Sequence, residues 1–173
     1  MAEGIGRDIL MIDAMVSGRV QREARAAIKI PITDVQPDQW YDIKDTVLLY
    51  ERAIANGNGG LTSLKVTGAR IMPTLKKYTN ELDVFANPQQ LFMAFNALFL
   101  SDHRDANAGY FKAIEMTATS AVLEDTSLHL PEFHLGVLEG AVKIFPGCSL
   151  ISSDIVERGS DKKVYKIKWR NKV

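Results

Sequence analysis

The sequence lacks most of what would declare an activity outright. It has one cysteine, Cys148, so no disulfide can form within the chain, which favours a reducing compartment. No stretch approaches the roughly 20 apolar residues of a membrane-spanning helix. The partly apolar N-terminus is broken by Arg7, Asp8 and Asp13 and does not read as a signal peptide, so a cytoplasmic protein is expected. Net charge is absent too: 21 Lys and Arg balance 21 Asp and Glu, which argues against a uniformly basic nucleic-acid binder. The motifs GxGxxG, GxxxxGK[ST], GxSxG, HExxH and CxxC do not occur. Dinucleotide binding, a Walker phosphate loop, a nucleophile elbow and the common zinc sites therefore find no support.

What is present is an ordinary globular composition. The 173 residues are 46% hydrophobic and 24% charged, enough for one domain with a sizeable core. Residues 3–18 read as a helix with Ile5, Ile9, Ile12 and Val16 on one stripe and Gly18 as its stop. Residues 26–35 alternate around Pro31 and predict an edge strand or extended arm, so residues 1–34 are set apart from a unit covering 35–173. Asp42 is a candidate N-cap for a helix carrying Ile43, Val47, Tyr50 and Ile54, which ends in a glycine-rich turn at 56–60. A further helix spans Leu61 to Met72, where Pro73 interrupts or kinks it. Asn87-Pro88 opens another, with Phe92, Phe95 and Phe99 on its apolar face. A polar loop at 101–109 leads to two strands, a helix from Pro131 to Ile144, and a closing hairpin whose turn is Arg158-Gly159-Ser160-Asp161. The fold class expected is mixed α/β (α+β): N-terminal helices packed on a mainly antiparallel sheet of about four strands, with a crossing helix.

Charge and chemistry-bearing side chains concentrate in a few places. From Arg158 onward seven basic residues face one acid, so the last strand presents Lys166, Lys168 and Arg170 on one side and Tyr165, Ile167 and Trp169 on the other. That is a solvated sheet face or a docking surface for an acidic partner or phosphate. His103, between Asp102 and Arg104, reads as a solvated loop residue, or as an imidazole oriented by Asp102 or Asp105. His134 lies on the apolar side of its helix, as a core-edge histidine, as the wall of a cavity or as a metal ligand. His129 and His134 straddle Pro131 and do not make a zinc pair. Cys148 reads as a small buried hydrophobe or a nucleophile. Glu139 and Lys143 form an i,i+4 pair on the outside, and Gly136 and Gly140 leave a smooth patch for close approach.

Several short motifs resemble a known superfamily. Asp38-Gln39-Trp40-Tyr41 precedes a helix, Phe133 to Gly140 carries a GxxxG helix, and Val164-Tyr165-Lys166-Ile167-Lys168-Trp169 closes the chain. Together they resemble the group that unites four-vinyl-reductase-type domains, haem NO/oxygen-binding (H-NOX) domains and TRAPP vesicle-tethering subunits. The resemblance implies an α/β domain enclosing an apolar cavity, and a non-enzymatic small-molecule-binding or sensory role exercised through a protein partner, as a homodimer or with another protein. A purely structural scaffold of the same fold is the alternative. The candidate cavity lining is Trp40, Phe95, Phe99, His134 and Leu138; the candidate partner surface is Lys166, Lys168 and Arg170. The resemblance also implies a Tyr-x-Ser-x-Arg grip on haem propionates, and none of the five tyrosines starts such a motif. Haem is therefore doubtful, and no cofactor or metal is expected.

Overall fold

The computed structural model describes residues 2–16, 18–56, 60–159 and 161–172. Among them the chain order is β1 (Glu3–Ile5), α1 (Gly6–Met15), α2 (Gly18–Arg25), β2 (Trp40–Asp42), α3 (Ile43–Asn56), α4 (Gly60–Tyr78) and α5 (Pro88–Asp102). There follow β3 (His103–Arg104), β4 (Phe111–Thr117), β5 (Ser120–Asp125), α6 (Pro131–Lys143), β6 (Cys148–Arg158) and β7 (Lys163–Asn171). The class is α+β, as expected. The main sheet is antiparallel throughout, in the order β4-β5-β7-β6, with Tyr165 of β7 opposite Leu123 of β5 and Ile155 of β6. Tyr165, Ile167 and Trp169 turn inward and are fully buried; Lys166, Lys168 and Arg170 point out.

Two helices cover the inner face, α5 over β4 and β5, and α6 over β6 and β7. Asn87 caps α5, its side-chain oxygen accepting from the Gln90 N–H at 3.0 Å, and Pro88 occupies the first turn. The helix α6 is sandwiched between the sheet and α4, so every residue from Glu132 to Val142 is buried. Contact between α4 and α6 depends on glycine. A Cβ on Gly136 would sit 2.0 Å from the Lys65 carbonyl oxygen, and one on Gly68 2.1 Å from that of Phe133. Above this layer lie α1, α2 and α3.

Several expectations are corrected. The N-terminal helix begins after a strand, and Gly18 opens α2 (φ +64°) instead of ending α1. Residues 26–35 form no strand; an irregular segment with one 3-10 turn (Ile32–Asp34) runs there. Trp40-Tyr41 belongs to β2, and a second, three-stranded sheet, β2-β1-β3, was not anticipated. Pro73 does not end α4, which runs on to Tyr78. Glu139 is buried, not outside: its carboxylate takes Lys65 Nζ at 2.7 Å and the Ser153 hydroxyl. The smooth face at Gly136 and Gly140 is filled by α4, so it is no free interface. Of the glycine-rich turn, residues 57–59 lie outside the described residues, as does Ser160 of the hairpin turn.

Candidate functional site

Between the helices α1, α3 and α4 on one side and α5, α6 and β4 on the other lies a cavity of about 80 Å³. Its walls are apolar and aromatic, from Ile12, Met72, Phe95, Phe99, Phe111 and Phe133. Each comes from the buried stripe of its element, which is why a helix-face reading finds Phe95 and Phe99. The three histidines also line this cavity. They converge because β3 ends α5, because the β5–α6 loop folds back over Tyr50, and because α6 begins beneath them.

Hydrogen-bond partners assign the tautomers. His103 Nδ1 donates to the Phe99 carbonyl at 2.9 Å, so its Nε2 accepts, and His129 Nε2 donates to it at 3.1 Å. His129 Nδ1 then accepts from the Tyr50 hydroxyl at 3.1 Å, whose oxygen accepts the Leu130 N–H at 3.2 Å. This chain runs from α3 to β3 without a break. Burial holds His103 neutral, down to about 4, and pushes His129 well below the imidazole range. His103 is thus 8% exposed and stacked on Phe99, not the solvated loop residue expected. Neither Asp102 nor Asp105 orients it: Asp102 accepts from Arg7 at 2.5 Å.

His134 differs from the other two. Its Nδ1 donates to Asp125 Oδ2 at 2.8 Å, and its Nε2 has no hydrogen-bond partner among the described residues. Asp125 is fully buried at the end of β5, where it also accepts from the Ser127 N–H at 2.7 Å and the Tyr165 hydroxyl at 3.0 Å. Burial alone would raise its pKa; His134, Lys163 (Nζ at 3.7 Å) and the Ser127 N–H outweigh it and hold the group ionised, well below the carboxylate range. Thr46, 2% exposed on α3, is a second cavity-lining polar side chain with no hydrogen-bond partner among the described residues. One rim of the cavity is acidic. Asp8, Glu81 and Asp102 gather there, and burial followed by the Asp102 charge raises Asp8 well above its ordinary pKa, against the opposing pull of Arg7.

Of the residues singled out from sequence, Phe95, Phe99 and His134 line this cavity. Trp40 lies on β2, with the Arg104 guanidinium 4.5 Å from its ring centre, and Leu138 is buried in the core outside the cavity lining. Cys148, half-buried, donates from Sγ to Asn171 Oδ1 at 3.4 Å, away from the cavity. Sequence reading missed Asp8, Thr46 and the Asp125–His134 pair. Inward alternation along β5 is the signal that would have found Asp125. Among the described residues no group of three or more His, Cys, Asp or Glu side chains is arranged to hold a bare metal ion.

No family model matches the chain, and no curated protein matches it. Solved structures do. An Fe(II) unliganded H-NOX protein mutant from K. algicida aligns with a TM-score of 0.75 at 14% identity, over 96% of this chain and 97% of its own. A Cs H-NOX mutant aligns with a TM-score of 0.75 at 17% identity, over 98% of each chain. An oxygen-binding H-NOX domain related to soluble guanylate cyclases, in its oxygen complex, aligns with a TM-score of 0.72 at 17% identity, over 97% of this chain and 94% of its own. The fold is therefore that of H-NOX domains; likeness to four-vinyl-reductase domains or TRAPP subunits is not found among these structures.

The cofactor expectation is overturned by the same comparison: a further match, with a TM-score of 0.73 at 17% identity, was solved to probe haem distortion in the H-NOX family, and the K. algicida protein is in its Fe(II) unliganded state. One donor here, the His134 Nε2, is of a kind that suits an iron. An imidazole oriented by a carboxylate, with its second nitrogen free on an aromatic-walled cavity, is the arrangement that ligating histidines favour. At about 80 Å³ the free space is below the ~300 Å³ at which small-molecule sites begin, and its lining includes Asp8, Glu81 and Asp102 but no Lys or Arg, so the cavity as it stands is too small for a porphyrin.

Proposed function

We propose that this chain is a ligand-sensing regulatory domain that carries no catalysis of its own and acts through a protein partner. The observation that carries this reading is the aromatic-walled cavity between two helical layers, with the His134 Nε2 on its wall and without a partner among the described residues. Aromatic walls take a flat apolar group, and a fixed imidazole takes an electron-poor centre. Were a haem taken up, His134 would be the donor to its iron, and Phe95 and Phe99 would supply apolar walls. When bound, haem supplies an iron site for a diatomic gas. The chain's own part is to exclude water, orient the imidazole and change shape on occupancy. A hydrogen-bonded chain from Tyr50 on α3 through His129 to His103 on β3 crosses the cavity wall, so parting the walls strains a relay that reaches both layers. The fold likeness supports a sensory role, and the uncovered column of Lys166, Lys168 and Arg170 on β7 offers an acidic partner its docking face.

Titration of the purified full chain with hemin tests the reading. The expected result is a saturable Soret band at one haem per chain, with altered proteolysis of α1 and α3. Hemin that stays in its free, aggregated form at every ratio would sink the haem part of the proposal.

A further inference from the structure

We infer that the ligand this cavity takes is a short primary amine, its nitrogen donating to acceptors that the fold leaves unused and its alkyl end against the phenylalanine rings; the inference rests on the ligand-sensing reading above and names the chemical class. Three observations carry it. The first is hydrogen-bonding capacity. The imidazole N–H groups on the wall are spent, that of His103 on the Phe99 carbonyl, that of His129 on His103 and that of His134 on Asp125. The Ser101 hydroxyl is spent on the Leu98 carbonyl. What is left without a hydrogen-bond partner among the described residues can accept: the His134 Nε2, the Thr46 hydroxyl and the Asp8 carboxyl. His134 and Thr46 are 5% and 2% exposed, so bulk water barely reaches them. A buried acceptor without a donor is costly, and a ligand that brings N–H groups relieves it.

The second observation is charge. Asp8, Glu81 and Asp102 line the cavity, and no Lys or Arg does. Arg7 stands beyond the lining and donates to Glu81 and Asp102, not to Asp8. The nearest ring atom of His103 to Asp8 is Nε2, 4.0 Å from Oδ2 and itself an acceptor. Burial and the Asp102 charge keep the proton on Asp8 above the carboxylate range, although Arg7 pulls the other way. An amine that arrives neutral takes that proton: the O–H bond of Asp8 breaks, an N–H bond forms, and an ammonium is left against a carboxylate. An amine that arrives protonated makes the same pair, the Asp8 proton leaving to water. An alcohol can do neither. The third observation is size and surface. A cavity of ~150 Å³ accommodates benzene, so about 80 Å³ suits roughly three or four heavy atoms. Phe95, Phe99, Phe111 and Phe133 offer an alkyl chain a dry surface, and aromatic rings attract a cation.

The test is titration of the full chain with methylamine, n-propylamine, n-hexylamine and 1-propanol at one ionic strength, followed by nitrogen-15 NMR, and repeated on Asp8→Asn after a folding check by circular dichroism. Asparagine keeps the shape of a protonated Asp8 and cannot form the ion pair. Expected are saturable shifts at Asp8, Phe99 and the His134 ring, with n-propylamine bound about tenfold more tightly than 1-propanol, the margin of a hydrogen bond to a charged group. Affinity should rise from methylamine to n-propylamine and fall at n-hexylamine, which outgrows the space. Asp8→Asn should lose about tenfold for n-propylamine and leave 1-propanol unmoved. 1-Propanol binding as tightly as n-propylamine to the parent, or amine shifts confined to carboxylates of the outer surface, overturns the inference and leaves the ligand-sensing reading standing; this comparison needs no variant. Undiminished n-propylamine affinity in a folded Asp8→Asn overturns the part assigned to Asp8. A parent chain that admits neither the amines, nor 1-propanol, nor hemin overturns the ligand-sensing reading, and this inference with it.

Discussion

At the residue scale, the consequences of burying imidazoles are measurable without any ligand. His103 stays neutral in the fold down to about 4, mainly because burial disfavours its charged form, whereas the unfolded chain protonates it near 6.5. Over that window the unfolded state binds the extra proton, so stability falls as pH drops from 6.5 to 4, by about 3 kcal/mol for this group. His129 acts in the same direction. Asp8 opposes them: its raised pKa means the fold binds a proton the unfolded chain has lost, which favours the fold on acidification. Asp125, held low, withdraws support only below about 4, as its unfolded carboxylate protonates. Chemical denaturation from pH 7 to 4, compared between the parent and His103→Phe, separates the terms; a flatter profile in the variant is expected. None of this was legible from local sequence. His103 sits in Asp-His-Arg-Asp, a polar setting, and its burial follows from β3 pairing with β1, a contact across 99 residues.

At the element scale, the legible parts were those with strong local signals. Asn87-Pro88 announced α5, alternation announced β7, and the apolar face of α5 announced two walls of the cavity. The failures share a physical cause. Pro73 sits in α4 without ending it, because packing against α6 outweighs one lost backbone hydrogen bond. The helix α6 shows glycines at i and i+4, which read as a patch for a partner; the partner proves to be α4 of the same chain. That contact makes a sharp prediction. Gly136→Ala places a methyl 2.0 Å from the Lys65 carbonyl oxygen, a backbone atom that cannot swing aside. The helices must separate, and a loss of about 3 kcal/mol is expected in urea or guanidinium unfolding, at the upper end for overpacked cores. A loss below about 1 kcal/mol would mean that α4 and α6 slide past each other freely.

At the scale of the whole molecule, the sheet has one dry face and one wet one. The dry face carries Tyr165, Ile167 and Trp169; the wet face carries Lys166, Lys168 and Arg170, with Arg170 donating to the Ser149 hydroxyl at 3.0 Å. Reversing all three charges should leave thermal unfolding within a few degrees of the parent, since solvent-facing substitutions outside special features usually cost less than ~0.5 kcal/mol each. A large drop would show that the column supports the fold. The fold class was open to sequence reading because the elements follow in an α+β order; the convergence of His103, His129 and His134 was not, because it is made by contacts between elements far apart in the chain. The small sheet β2-β1-β3 shows what such contacts do over time. The strand β1 is three residues long and is gripped by strands that start near residues 40 and 103. Contacts between residues so far apart in the chain are slow to form, because the loop must close before they contribute. Such a clasp is expected to close late and open early, and because His103 is one of its residues, faster amide exchange in β1 and β3 than in β5 and β7 would show the cavity's rim opening while the main sheet stays shut.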